Sequence, residues 1–150
     1  EGSVTEAVLE RVPEDRFSWK PHEKSRSLGE LAVHVAGTPM GIAQLLDADE
    51  APPPSVPETM PSTREELLAI HRESIQKAAE TLERWGDDRL RQEWRMVAGE
   101  QTLMAQPRIA MVRSLMMNHL YHHRGQLSVY LLDIPVPPIY GPSADENPFG

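Results

Sequence analysis

Two stretches of the chain each begin with a helix-capping signal and continue as an apolar stripe at helical spacing. The first runs from Ser27 to Glu30 and has the spacing of a capping box, in which each side chain bonds the other residue's backbone N–H. The second has a similar pattern from Ser62 to Glu65. The stripes that follow consist of Leu28, Leu31, Val35, Ile42 and Leu46, and of Leu67, Ile70, Ile75, Ala78, Leu82 and Trp85. We therefore predict two long amphipathic helices that start at these signals and end near Asp47 and at "WGDD".

Two further segments have helical periodicity, which brings the number of predicted helices to four. The segment from Val4 to Val12 is short, and we expect it to be the end of a longer helix. The last helix is predicted from Pro107, which suits a first helical turn, to about Asp133. Its inward stripe is Ile109, Val112, Met116, Leu120, Leu127, Tyr130 and Leu131. The predicted fold class is all-α, with a four-helix bundle as the architecture.

The connections between these helices are rich in turn-forming residues. "DADEAPPPSVPETMPS" predicts a long Pro-rich crossover between helices 2 and 3, within one domain that spans residues 1–150, because the helices on both sides still need partners. Gly99 interrupts a segment without helical periodicity and favours a turn, with a small hairpin as one form of it. Residues 134–150 are too rich in Pro and Gly for regular structure and are predicted to be a coil tail.

The composition excludes several function classes. The chain has 150 residues and no cysteine, which excludes disulfides, thiolate metal ligands and a cysteine nucleophile. Its formal net charge of -8 opposes nucleic-acid binding, which needs a basic surface. No apolar run approaches the roughly 20 residues of a membrane span, and no signal-peptide pattern opens the chain. We expect a cytoplasmic domain without nucleic-acid or membrane partners.

Half of the six histidines lie in "NHLYHHRGQL", within the fourth predicted helix. At about 100° per residue from Ile109, His119 falls near 280° and His123 near 320°, so both point into the apolar stripe. His122 and Arg124 fall on opposite margins of the stripe. Because His119 and His123 are four residues apart, their rings lie on one helix face at a spacing that suits metal chelation.

Two interpretations of these histidines compete. A buried imidazole nitrogen without a partner costs about 1–3 kcal/mol, and a single core histidine usually satisfies it with a carbonyl or a water. For the pair His119 and His123 we favour binding to a divalent cation, with His34 on helix 2 as the natural third ligand. His71, on the inner face of helix 3, is either a fourth ligand or a neutral ring at the edge of the site. Leu120 stands where a zincin has its glutamate, which disfavours a metalloprotease.

The segments "SLGELAVHVAG" and "NHLYHHRGQL", with the flanks "VPEDRFSWKP" and "PVPPIYGPSADE", resemble the DinB/YfiT-like family of metal-dependent enzymes. The resemblance implies a four-helix bundle with a long crossover, a homodimer, and a metal site formed by His34, His119 and His123. It also implies nickel or zinc as the bound ion. Some members of the family use low-molecular-weight thiols, as in mycothiol-dependent maleylpyruvate isomerase and bacillithiol transferase.

An open three-histidine site can lower the pKa of a bound water or thiol. We therefore expect a thiol S-transferase or hydrolase that acts on a small molecule, without assigning a catalytic side chain. Gln126 is expected to orient a ring or a substrate, Arg124 to pair with a carboxylate on a neighbouring helix or a dimer partner, and Glu30 to cap its helix. His122 is expected at the surface or beside the ligands. A non-catalytic metal-binding or stress-response protein, and a purely structural helical dimer, remain the alternatives.

Overall fold

A computed structural model describes residues 1–54 and 59–131 of the chain. The helices are α1 (Gly2–Leu9), α2 (Leu28–Asp47), α3 (Arg64–Arg91), α4 (Arg108–Met111) and α5 (His119–Tyr130), with a 3₁₀ turn at Glu14–Arg16 and a π-helical segment at Val112–Asn118. The strands are β1 (Glu50–Ala51), β2 (Glu93–Ala98) and β3 (Gln101–Pro107). The chain is mostly helical, as predicted. The prediction of a purely α class was wrong, because these three strands form a small sheet.

The chain divides into two compact units. The first consists of the described parts of residues 1–36, 58–72 and 122–150, and the second of those of 37–57 and 73–121. Residues 55–58 of the crossover and the predicted coil tail lie outside the described residues. Within the described ranges, no helix is both long enough and apolar enough to cross a membrane.

In the first unit, α2 begins with the predicted capping box. The Ser27 N–H donates to Glu30 Oε2 at 2.5 Å, and the Glu30 N–H donates to Ser27 Oγ at 3.1 Å. Two backbone donors that the helix leaves unpaired are thereby satisfied. Leu28 and Leu31, the first residues of the predicted stripe, are fully buried just behind the cap.

The cap of α3 lies one residue later than predicted. Thr63 Oγ1 accepts a hydrogen bond from the Glu66 N–H at 3.1 Å, and Glu66 Oε2 accepts one from the Ser62 N–H at 2.6 Å. Thr63 and Glu66 therefore take the roles assigned to Ser62 and Glu65. Consecutive residues of similar chemistry made both registers plausible from the sequence, and α3 begins at Arg64.

Buried polar contacts fasten α1 to its neighbours in the first unit. The Arg124 guanidinium donates to Glu1 Oε2 at 2.9 Å and to Thr5 Oγ1 at 3.0 Å. The ring of His71 is also buried, and its Nε2 lies 2.9 Å from the carbonyl oxygen of Gly2. Because a carbonyl can only accept, Nε2 carries the proton of His71.

The second unit contains the sheet, with strand order β1-β2-β3. β1 pairs in parallel with β2, and β2 pairs antiparallel with β3. Gly99 has a φ of 61° in the turn between β2 and β3, a conformation that favours glycine. The predicted hairpin around Gly99 is thus confirmed, whereas β1 lies in the segment that was predicted to be only a crossover.

A buried arginine joins the end of α2 to the sheet in the second unit. The Arg108 side chain is fully buried, and its guanidinium donates to the carbonyl oxygens of Leu46 and Ala48 at 2.9 and 2.8 Å and to Asp49 Oδ1 at 2.7 Å. The carbonyls at a helix C-terminus have no partner within the helix, and Arg108 supplies one. The adjacent core cluster consists of Leu46, Trp85, Trp94 and Met111.

The helical stretch that follows β3 contains the π-helical segment Val112–Asn118. A π-helix has more residues per turn than an α-helix, so the segment changes which residues share a face. The prediction that Ile109 faces inward was wrong, since Ile109 is 51% exposed and Met111 is buried instead. Met116 within the segment, and Leu120 and Leu127 after it, are buried as predicted.

α3 is interrupted where the sequence predicted its end. Gly86 of "WGDD" has a φ of 61° and a ψ of -176°, which is not helical, and the chain then forms another helical turn up to Arg91. α5 ends at Tyr130, and Asp133, the predicted end of the last helix, lies outside the described residues.

Candidate metal centre

The structure brings together the three histidines that the sequence predicted as ligands. Each of His34, His119 and His123 offers one ring nitrogen, and these nitrogens all lie within 4.8 Å of one another. All three side chains are half-buried. The group is therefore partly shielded from water.

Helix geometry accounts for the grouping. His119 and His123 are one turn apart at the start of α5 and therefore lie on the same face. His34 projects from α2, seven residues after the Ser27 cap that fixes where that helix begins. The His34 and His123 rings meet edge to face, with centroids 4.5 Å apart and planes at 87°.

The donor set fits a divalent transition metal ion. Imidazole nitrogens bind zinc at about 2.0–2.1 Å, which places two such ligands of a tetrahedral ion roughly 3.3 Å apart. The three ring nitrogens here lie at most 4.8 Å apart. Imidazole ligands suit zinc and nickel better than magnesium or calcium, which prefer oxygen. These residues can therefore hold a metal ion.

Gln126 contacts the ring of His123, as the sequence analysis expected of a residue that orients a ring. Gln126 Oε1 lies 2.7 Å from His123 Nδ1, three residues away on α5. An amide oxygen can only accept a hydrogen bond, so this contact requires the tautomer of His123 that has its proton on Nδ1. The lone pair of that ring is then on Nε2.

The remaining histidines have other surroundings. His71 is not part of the group, and its Nε2–H donates to the Gly2 carbonyl, as in a core histidine that a backbone oxygen satisfies. His122 is exposed, and its ring lies 4.9 Å from that of His123 at 76°. His22 Nδ1 accepts a hydrogen bond from the Lys24 N–H at 3.2 Å. His71 is therefore not positioned to act as a fourth ligand.

The charged residues near the ligands in sequence have structural partners. The pKa of Glu30 is held below its ordinary value, first by the hydrogen bond from the Ser27 N–H and also by Lys20, 3.5 Å away. Glu30 therefore caps its helix, as predicted. Arg124 pairs with Glu1, which confirms that it meets a carboxylate at a neighbouring helix. Thr5 also accepts a hydrogen bond from Arg124, and no local pattern in the sequence marks this contact.

Comparison with known proteins identifies the family of this chain. The model of the DinB family matches residues 1–146. The chain belongs to the DinB family. A curated relative of this DinB-family chain, the uncharacterized protein YjoA of Bacillus subtilis (strain 168), is 26% identical over 139 residues, which cover 88% of this chain and 82% of YjoA.

Two solved structures share the fold of this DinB-family chain. A DinB-like protein from Bacillus cereus ATCC 10987 superposes with a TM-score of 0.74 at 20% identity, covering 93% of this chain and 90% of that one. The crystal structure of the DinB-like YjoA from Bacillus subtilis superposes with a TM-score of 0.65 at 21% identity, covering 88% and 84% of the two chains. At these identities the likeness concerns the fold alone.

Proposed function

We propose that this DinB-family protein is a metal-dependent enzyme of the thiol S-transferase or hydrolase type. His34, His119 and His123 would hold one divalent ion, with nickel or zinc as the preferred metal. The observation that supports the proposal most is the group of three ring nitrogens within 4.8 Å, drawn from two different helices. Three neutral imidazoles occupy too few positions to complete the coordination of either ion, so room remains for a substrate.

The bound ion would supply Lewis acidity, which lowers the pKa of a water or thiol and polarises a substrate. The chain's own part is to hold the imidazoles neutral and oriented. Gln126 would do this for His123 by accepting a hydrogen bond from Nδ1–H, with Oε1 and Nδ1 2.7 Å apart. The half-buried rings also exclude part of the bulk water, which strengthens electrostatic interactions at the site.

Thiol transfer is the better supported of the two reaction types. The given sequence has no cysteine, so a thiol that took part in the reaction would arrive as a small cosubstrate, for which a low-molecular-weight thiol is the proposed class. Hydrolysis commonly uses a carboxylate to accept a proton from water. Glu30, one turn before His34, is engaged in the helix cap and its pKa is lowered, which makes it a weak base.

A non-catalytic metal-binding protein is the second candidate. This candidate is also favoured by Glu30, because its carboxylate, one turn from His34, bonds the helix cap and so has a structural role. The two candidates share the histidine site and differ only in turnover. A single set of assays therefore separates them.

The decisive assay follows the loss of free thiol when the metal-loaded protein meets electrophilic small molecules, with ester hydrolysis measured in parallel. We expect thiol consumption that falls at least about 100-fold in His119→Ala, since losing one of three ligands removes the ion that activates the thiol. His122→Ala is the matched control, because His122 neighbours His123 on α5 but is exposed and outside the group. Metal-loaded protein that consumes thiol and ester only at the uncatalysed rates would favour the non-catalytic candidate.

A further inference from the structure

The side chain of Gln126 is aimed at the one ring nitrogen of His123 that must carry a proton if the other nitrogen binds metal. The Oε1···Nδ1 distance of 2.7 Å is short for a hydrogen bond between neutral groups. We propose that Gln126 is a positioning residue that fixes the tautomer and the orientation of His123 for metal binding through Nε2. This inference rests on the proposed metal site and adds a residue that acts through a ligand.

The chemistry of imidazole makes such a residue useful. A neutral histidine has two tautomers, and only the one with its proton on Nδ1 offers the Nε2 lone pair. Without an acceptor at Nδ1, part of the population would carry the proton on Nε2 and would have to rearrange before binding. Gln126 removes that cost because its amide oxygen stabilises the binding-competent tautomer.

Contacts on several sides restrict the orientation of the His123 ring. The His34 ring lies edge to face at 4.5 Å and the His122 ring at 4.9 Å, while Gln126 holds Nδ1. The position of Gln126 three residues after His123 on α5 places both side chains on one face of the helix. The contact is therefore set by the helix itself and does not need a distant element to form.

The length and the chemistry of the side chain define informative substitutions. Gln126→Met has a similar length and no carbonyl acceptor, so it removes the hydrogen bond while keeping most of the volume. Gln126→Glu keeps an acceptor at the same reach and makes it stronger, because a carboxylate accepts hydrogen bonds better than an amide. Partners of this kind contribute about 10–100-fold to metal affinity in histidine sites.

The first measurement is the dissociation constant for zinc and for nickel, obtained by competition with a chromophoric chelator on the full chain. We expect Gln126→Met to raise the dissociation constant about 10-fold and Gln126→Glu to restore it to within about 3-fold of the wild type. Gln76→Met is the matched control, since Gln76 is an exposed helical glutamine that bonds Glu80 at 2.9 Å. An unchanged dissociation constant in Gln126→Met would overturn the proposal.

The second measurement reads the tautomer of His123 in the metal-free protein from long-range ¹H–¹⁵N NMR spectra. We expect the Nδ1–H form in the wild type and in Gln126→Glu, and a shift toward the Nε2–H form in Gln126→Met. A wild type with its proton on Nε2 would contradict the assignment even if metal binds. Because the NMR measurement needs no metal, it tests the role of Gln126 independently of the proposed metal site. A wild-type protein that binds no metal would instead count against the proposed function.

Discussion

The rings of His34 and His123 lie edge to face with centroids 4.5 Å apart, although the two residues belong to helices at opposite ends of the sequence. His119 adds a third ring nitrogen to the same small volume. Three imidazoles that converge in this way, with all side chains half-buried, form the arrangement that the proposed shared cation requires. The geometry of the group is therefore the observation on which the proposed function rests.

Arg124 is expected to be a major contributor to the stability of the first unit. Its side chain is buried and bonds Glu1 Oε2, at the N-cap position of α1, and Thr5 Oγ1, within α1. Arg124→Met leaves the buried Thr5 hydroxyl without this donor. We expect the free energy of unfolding to fall by about 2–3 kcal/mol, measured by urea denaturation.

The control for this substitution is Arg113→Met, which removes an exposed arginine from the neighbouring π-helical segment. A surface change of this kind should alter the free energy of unfolding by less than about 0.5 kcal/mol. Equal effects of the two substitutions would show that the buried contacts of Arg124 carry no special stability.

The capping box of α2 predicts a dependence of stability on pH. The pKa of Glu30 is held below its ordinary value of 4.5, chiefly because its carboxylate accepts the Ser27 N–H. A carboxyl group whose folded pKa is depressed contributes stability above the unfolded pKa and loses it as the pH falls through the folded pKa. The stability advantage of the wild type over Glu30→Gln should therefore shrink between pH 7 and pH 3.

Urea denaturation at both pH values measures this difference. Ser27→Ala provides a second test, because it removes the hydroxyl that accepts the Glu30 N–H and should cost about 1 kcal/mol at pH 7. An advantage over Glu30→Gln that is the same at pH 7 and pH 3 would contradict the assignment of Glu30 to the cap.

The break in α3 predicts opposite effects for two glycine substitutions. Gly86 has a φ of 61° and a ψ of -176°, a region that only glycine enters without strain, so Gly86→Ala should lower the free energy of unfolding by about 1–3 kcal/mol. Gly41 lies inside α2, and a Cβ added there meets nothing within 4 Å. Gly41→Ala should stabilise the protein by up to about 1 kcal/mol. Thermal melting of both variants measures these effects, and shifts of the melting temperature in the same direction would contradict the prediction.

The features that the sequence predicted well depend on residues close to one another in the chain. The Ser27 cap, the hairpin turn at Gly99 and the pairing of His119 with His123 all follow from spacings of a few residues. His34 was matched to them through its position on a helix flank and through the family resemblance. These local patterns were sufficient to find the candidate site.

The features that the sequence predicted poorly depend on contacts between distant residues or on unusual backbone geometry. β1 was missed because its two residues become a strand only by pairing with β2. The exposure of Ile109 follows from the π-helical segment, which a count at about 100° per residue does not include. The hydrogen bond from His71 to Gly2 likewise joins residues whose proximity no local spacing indicates.

The central claim is that His34, His119 and His123 bind one divalent ion together. Crystals of the protein loaded with zinc or nickel, with diffraction recorded on both sides of the absorption edge of the metal, test it most directly. We expect one anomalous peak about 2.0–2.1 Å from a nitrogen of each ring, which is lost in His119→Ala and retained in His122→Ala. A peak at another place, or metal-soaked crystals in which the three rings coordinate nothing, would contradict it.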